Sequence, residues 1–151
     1  MKKLSLLAAA IFAALVYFSG QHSATSNQSA PAISEHGAGN AADAIIADAF
    51  ANHKSDLQVT GEGLIAKVLP DDKNGSKHQK FLLKLSTGQT LLVAHNIDLA
   101  PRVDSLRAGE PIQFSGEYEW SAKGGVLHWT HRDPRGSHVA GWLKYRGQTY
   151  Q

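Results

Sequence analysis

The sequence predicts a mainly β protein: a small OB-like five-stranded antiparallel Greek-key barrel, with a short helix between strands 3 and 4 and an N-terminal amphipathic helix. Three observations predict it. From Leu57 onward, apolar residues alternate with period two in five successive runs. The first run is long and contains Gly61 and Gly63, as in a bent strand that serves two sides of a small barrel. A stretch with helical spacing then separates the third run from the fourth, which is the element order of an OB-type barrel.

Each element follows from its residues. Lys2 and Lys3 precede an apolar run from Leu4 to Phe18, a charged n-region and an h-region of signal-peptide length that is short for a membrane span. Residues 1–20 are therefore expected to be a signal peptide or an uncleaved N-terminal anchor. Residues 21–40, rich in Ser, Ala, Gly and Asn, read as a flexible spacer. Residues 41–151 form the single domain. It opens with a helix whose apolar face is Ala41, Ala42, Ile45, Ile46, Ala49 and Phe50, with Asn40 as its cap and Asp43 near the positive end of its dipole.

The barrel runs follow. "LQVTGEGLIAKVLPDD" is the first, and Asp71 to Ser76 form a loop. "HQKFLLKLS" turns Phe81, Leu83 and Leu85 inward and Lys80 and Lys84 outward. Thr87-Gly88 turns into "QTLLVAHN". Asp98 then caps the short helix, in which Leu99, Val103 and Leu106 share a face, Pro101 sits in the first turn and Gly109 ends it. "PIQFSGEYEW" sets Ile112, Phe114, Tyr118 and Trp120 against Gln113, Glu117 and Glu119, and "SAKGG" returns the chain into "VLHWTHR". Trp142 to Tyr145 add a last short strand.

Composition limits the chemistry. No cysteine is present, which excludes disulfides, thiolate metal sites and cysteine nucleophiles. The formal charge of +2 includes Lys2 and Lys3, so the remaining chain is balanced overall. It is mildly basic toward the C-terminus, well short of a dense nucleic-acid-binding stripe. Nucleophile-elbow, His-Glu-x-x-His and phosphate-loop motifs are all lacking.

What stands out is "HWTHRDPRGSH", His128 to His138. Strand alternation puts His128 and Thr130 on one face and Trp129 and His131 on the other. Three chemistries compete for the stretch. His128 and His131 could ligate a divalent metal such as zinc if the chain bends between them. His128, His131 and Asp133 could act catalytically, with Arg132 and Arg135 gripping a phosphodiester. The reading preferred is ligand binding at a His/Arg/Trp-rich barrel end by His78, Lys80, His95, Asn96, Trp129, Arg132, Arg135 and His138. Its ligand would be an oligonucleotide, an oligosaccharide or another anionic molecule. In this reading His78 and His95 are cross-strand neighbours, and the fifth strand closes against the first. A monomer that meets nucleic acid or another polyanion, and meets membrane only through an uncleaved N-terminal segment, is the partner expectation. A metal-dependent or histidine-based hydrolase and a cell-envelope interaction module are the alternatives.

The stretches "KHQKFLL", "TLLVAHNIDLAPRV", "GEYEW", "GGVLHWTHRDPRGSH" and "GWLKY" together resemble short exported bacterial proteins of the domain of unknown function 3465 family. The resemblance covers Leu57 to Gln151. It implies a small exported single-domain protein and no more, and it supplies no activity. The family pattern often has a second histidine directly after the position of His131, where Arg132 stands here; if metal ligation needs the paired histidines, that departure weakens the metal reading.

Overall fold

The computed structural model describes residues 35–151, with side chains from residue 41 onward; the expected signal peptide and most of the expected spacer lie outside the described residues. Helix α1 (Glu35–Ala51) is followed by β1 (Leu57–Val68), β2 (His78–Lys84), β3 (Thr90–Asn96), β4 (Pro111–Glu119), β5 (Val126–His128), β6 (Trp142–Tyr145) and β7 (Gln148–Tyr150). The mainly β class is as expected. Strands β1 to β5 close a barrel in the order β1-β2-β3-β5-β4, with β4 pairing back onto β1.

Two expectations about the barrel are corrected. The strands are mixed, because β3 and β5 run parallel (Leu92 beside Val126, Val93 beside Leu127). The reason is parity. Strand directions cannot alternate all the way round a closed ring of five, so at least one neighbouring pair must be parallel. The second correction concerns closure. It is β4 that meets β1, from Leu57 opposite Tyr118 to Leu64 opposite Pro111, while β5 lies between β3 and β4.

Strand β1 serves two sides as its length suggested, pairing with β4 over its first part and with β2 over its last. The bulge falls between Ile65 and Lys67, beyond the glycines. Gly61 and Gly63 instead allow close packing: a Cβ on Gly61 would lie 2.6 Å from the Ala42 Cβ, and one on Gly63 would lie 2.9 Å from the Lys84 carbonyl oxygen. The inward residues of β2 and β4 match their alternation, with Phe81, Leu83, Ile112, Phe114 and Tyr118 all buried.

Among the described residues no helix stands between β3 and β4, contrary to expectation; turns occupy that span. Pro101 disfavours helical geometry at the residue before it, and Ser105 adopts a left-handed backbone (φ 56°) that no α-helix accommodates. The buried Gln79 side chain completes the connection. It accepts from the Val103 N–H and donates to the Val103 carbonyl, each at 2.8 Å. Asp98 caps no helix; it accepts from the Lys77 N–H at 2.8 Å.

Helix α1 packs on the barrel through Ala42, Ile46 and Ala49. Its face is rotated from the one expected, since Ala41 and Ile45 are exposed while Asp43 is buried. Asp43 lies within the helix and accepts from the Ser86 N–H (2.7 Å) and hydroxyl, tying α1 to the turn between β2 and β3. Beyond the barrel, β6 and β7 form a hairpin, and β6 pairs with the same edge of β4 that β5 uses further along.

Candidate functional site

The segment between β5 and β6 leaves the β4 edge after His128 and rejoins it at Trp142, so "HWTHRDPRGSH" is an excursion between two strands that share one neighbour. Trp129 has a left-handed backbone (φ 51°), a conformation rarely adopted by bulky residues and often kept at functional positions. It breaks the expected alternation. Thr130 turns inward and is fully buried, while His128 stays on the outer face and Trp129 lines the same groove as His128. Close backbone contact holds the excursion: the Gly141 N–H donates to the His131 carbonyl at 2.9 Å.

Inward of that backbone lies a lock. His95 is buried, with Nδ1 2.8 Å from the Thr130 hydroxyl and Nε2 3.1 Å from the Pro101 carbonyl. A carbonyl only accepts, so Nε2 carries the proton, and in the neutral ring Nδ1 accepts from Thr130. Burial drives the His95 pKa down to about 4, against an ordinary 6.5. The sign of the resulting pH dependence is fixed. The folded protein binds the proton less well than the unfolded chain, so this contribution is complete above about pH 6.5 and lost as pH falls toward 4. It amounts to roughly 3 kcal/mol. Histidine-selective NMR should find the His95 ring neutral down to about pH 4; titration near 6.5 would contradict its burial.

His78 and His95 are not partners. The register sets His78 opposite Asn96 and Gln79 opposite His95, so His95 points into the barrel and His78 outward. The outward residues build a site. A cleft of about 430 Å³ crosses β2, β3 and β5, with Leu92, Ala94 and Val126 as its apolar floor. Asp72, His78, Lys80, Glu119 and His128 form its rim. It continues into a second hollow of about 180 Å³ toward Asn96, Leu99, Trp129 and His131, with His78, Ala94 and His128 common to both. Lys80 is 3.4 Å from Asp72, so its charge is partly matched within the cleft.

The remaining predicted residues have other partners. Asp133 organises its own turn, accepting from the N–H groups of Arg135, Ser137 and His138 and from the Ser137 hydroxyl. Those bonds, that from Arg135 foremost, hold its carboxyl well below the usual range. It orients no imidazole. Arg132 and Arg135 are exposed on this loop. His131 is buried and its Nδ1 donates to the Arg132 carbonyl at 2.8 Å. His138 stacks on Trp129, with centroids 4.1 Å apart. Its Nδ1 lies 2.8 Å from the Val139 carbonyl and its Nε2 2.7 Å from Glu117 Oε2. Burial disfavours charge on this ring, but the Glu117 hydrogen bond and the Val139 carbonyl outweigh it and raise its pKa.

Glu117 and Glu119 are the site residues that sequence reasoning missed, because alternation sets them on the solvent face of the fourth strand. A signal existed. Counting outward from the "SAKGG" turn sets Glu119 against Val126 and Glu117 against His128, the register observed. The metal donors that lie together among the described residues are His128, Glu117 and Glu119, all within 4.8 Å of one another, and His131 is not in that group.

No curated protein matches the chain. A family model described as a protein of unknown function, DUF3465, matches residues 31–151. With most of the chain and the whole barrel inside that match, this protein belongs to the DUF3465 family.

Proposed function

We propose that this protein is an exported OB-type barrel that binds a neutral oligosaccharide in the groove across the outer face of β2, β3 and β5. The closed order β1-β2-β3-β5-β4 supports the OB reading, and the groove lies over the strand face such barrels use for oligonucleotides and oligosaccharides. One observation carries the choice of ligand: an apolar floor and the Trp129 ring are flanked by carboxylates as well as bases. Asp72 and Glu119 set carboxylate acceptors for hydroxyls on the rim, and the cleft's lysine already faces Asp72. That balance moves the preferred ligand away from the polyanion suggested by histidine and arginine content. The part of the Trp129 ring that lines the hollow, outside its stack with His138, supplies apolar area for a sugar.

Export rests on Lys2, Lys3 and the apolar run after them, and periplasmic or secreted localisation follows from it as part of the proposal. Tryptophan fluorescence during titration with a panel of neutral trisaccharides, and separately with a single-stranded hexanucleotide, tests the ligand class. Saturable sugar binding is expected, weakened at least tenfold by Trp129→Ala. Binding of the hexanucleotide alone, declining with salt, would replace this reading with the nucleic-acid one.

A further inference from the structure

We infer that Glu117, Glu119 and His128 form a binding site for a divalent first-row transition ion, of which zinc is the representative, in the wall of the groove. His128 Nε2 stands 3.4 Å from Glu117 Oε1 and 3.7 Å from Glu119 Oε1. Those separations are longer than a charge-assisted hydrogen bond, which falls at roughly 2.7–2.9 Å, and which the neighbouring His138–Glu117 pair attains at 2.7 Å. The 3.4 Å separation falls within the spacing of ligands around a tetrahedral ion, and the 3.7 Å one lies just beyond it. Nitrogen and oxygen ligands at about 2.0–2.2 Å from a tetrahedral zinc lie about 3.3–3.6 Å from one another.

The imidazole supplies the second, independent observation. His128 Nε2 is sealed from solvent and has no hydrogen-bond partner, although two carboxylates face it. A buried nitrogen in that position costs free energy unless something satisfies it. An ion between Nε2 and the two Oε1 atoms gives that nitrogen a partner, and it relieves the repulsion between two carboxylates projecting from the same face of β4.

The surroundings resemble those of a held ligand set. Metal-ligating carboxylates are themselves hydrogen-bonded by outer groups that fix their orientation. Glu117 receives His138 Nε2 on Oε2, which leaves Oε1 turned toward His128. His138 is in turn fixed by the Val139 carbonyl and the Trp129 ring. One nitrogen and two oxygens suit zinc, manganese or iron better than an all-oxygen ion such as calcium. Three protein ligands leave a coordination position for water or a ligand hydroxyl, and the cluster borders the 430 Å³ cleft that His128 and Glu119 line.

The ion site shares residues with the sugar groove but does not depend on sugar binding, because zinc is titrated directly and without sugar. Full-length protein freed of any affinity tag and of metal is titrated with zinc by calorimetry, and its circular dichroism is compared among variants. One zinc per chain is expected. His128→Ala should weaken it at least a hundredfold and Glu119→Gln at least tenfold. His138→Gln should weaken it ten- to a hundredfold through loss of Glu117 orientation. His53→Ala, at an exposed histidine outside the group, should leave it unchanged. Absence of zinc binding, or binding that His128→Ala leaves intact in a folded protein, would overturn the site. Loss of sugar binding with zinc binding retained would overturn only the proposed ligand.

Discussion

Replacing Gly141 with alanine is expected to destabilise the protein by about 3 kcal/mol or more, at the upper end of what overpacking costs. A Cβ there would sit 1.9 Å from the Trp129 carbonyl oxygen and 2.5 Å from the Ser115 carbonyl oxygen. Both obstacles are backbone, so no rotamer change relieves them. The Gly141 N–H also holds the His131 carbonyl, so relief by backbone movement would break that closure of the histidine segment. Urea denaturation measures the loss, and Gly136→Ala is the control. Gly136 has φ 66°, and a Cβ there would meet nothing within 4 Å, so alanine should cost only the left-handed penalty of about 1–2 kcal/mol. Equal effects at the two positions would mean that Gly141 is not a close-contact point.

Tyr118→Ala is expected to cost about 3–5 kcal/mol, as for other large aromatic truncations in a core. Tyr118 is fully buried in β4, and its ring fills the place that a side chain on Gly125 would need, 2.2 Å from such a Cβ. It therefore supports the turn that sets Glu117 opposite His128. Tyr118→Phe separates packing from hydrogen bonding. The hydroxyl reaches the Gly124 carbonyl only at 3.4 Å, so its loss should cost under about 1 kcal/mol. Chemical denaturation of both variants checks the pair, and a phenylalanine variant as unstable as the alanine one would shift the role from ring to hydroxyl.

How far the sequence reveals this fold depends on what each pattern encodes. Period-two alternation reports which side chains face inward, and it places Phe81, Leu83, Ile112, Phe114 and Tyr118 in the core, where they stand. It carries no information on which strands are neighbours. Parity adds one constraint: a closed ring of five strands requires a parallel pair somewhere, and that consideration alone removes the all-antiparallel expectation. The missing helix after β3 shows the opposite limit. Leu99, Val103 and Leu106 have helical spacing, yet Pro101, the left-handed Ser105 and the Gln79 bridge to Val103 decide the outcome.

The site was partly legible. His78, Lys80, Asn96, His128 and Trp129 line the groove and the hollow it continues into. The assignment of faces failed at Trp129, because alternation presumes extended backbone and this residue is left-handed. That single dihedral sends Thr130 inward to His95 and leaves His128 outward beside Glu117. "HWTHRDPRGSH" therefore contributes both to a buried lock and to an exposed groove. Glu117 and Glu119 escape notice in the sequence because glutamate on the outer face of a strand is ordinarily solvated; only the hairpin register gives them a histidine for a neighbour.

The central claim is that the outward face of β2, β3 and β5 is the working surface of this barrel. Amide and indole NMR shifts recorded during titration with neutral trisaccharides test it most directly. Shifts are expected in the groove alone, at Ala94, Asn96, Val126, His128 and the Trp129 indole, with Val103 and the separate cleft at Gln113, Lys144 and Arg146 unmoved. Shifts centred on that separate cleft, with the groove unmoved, would contradict it.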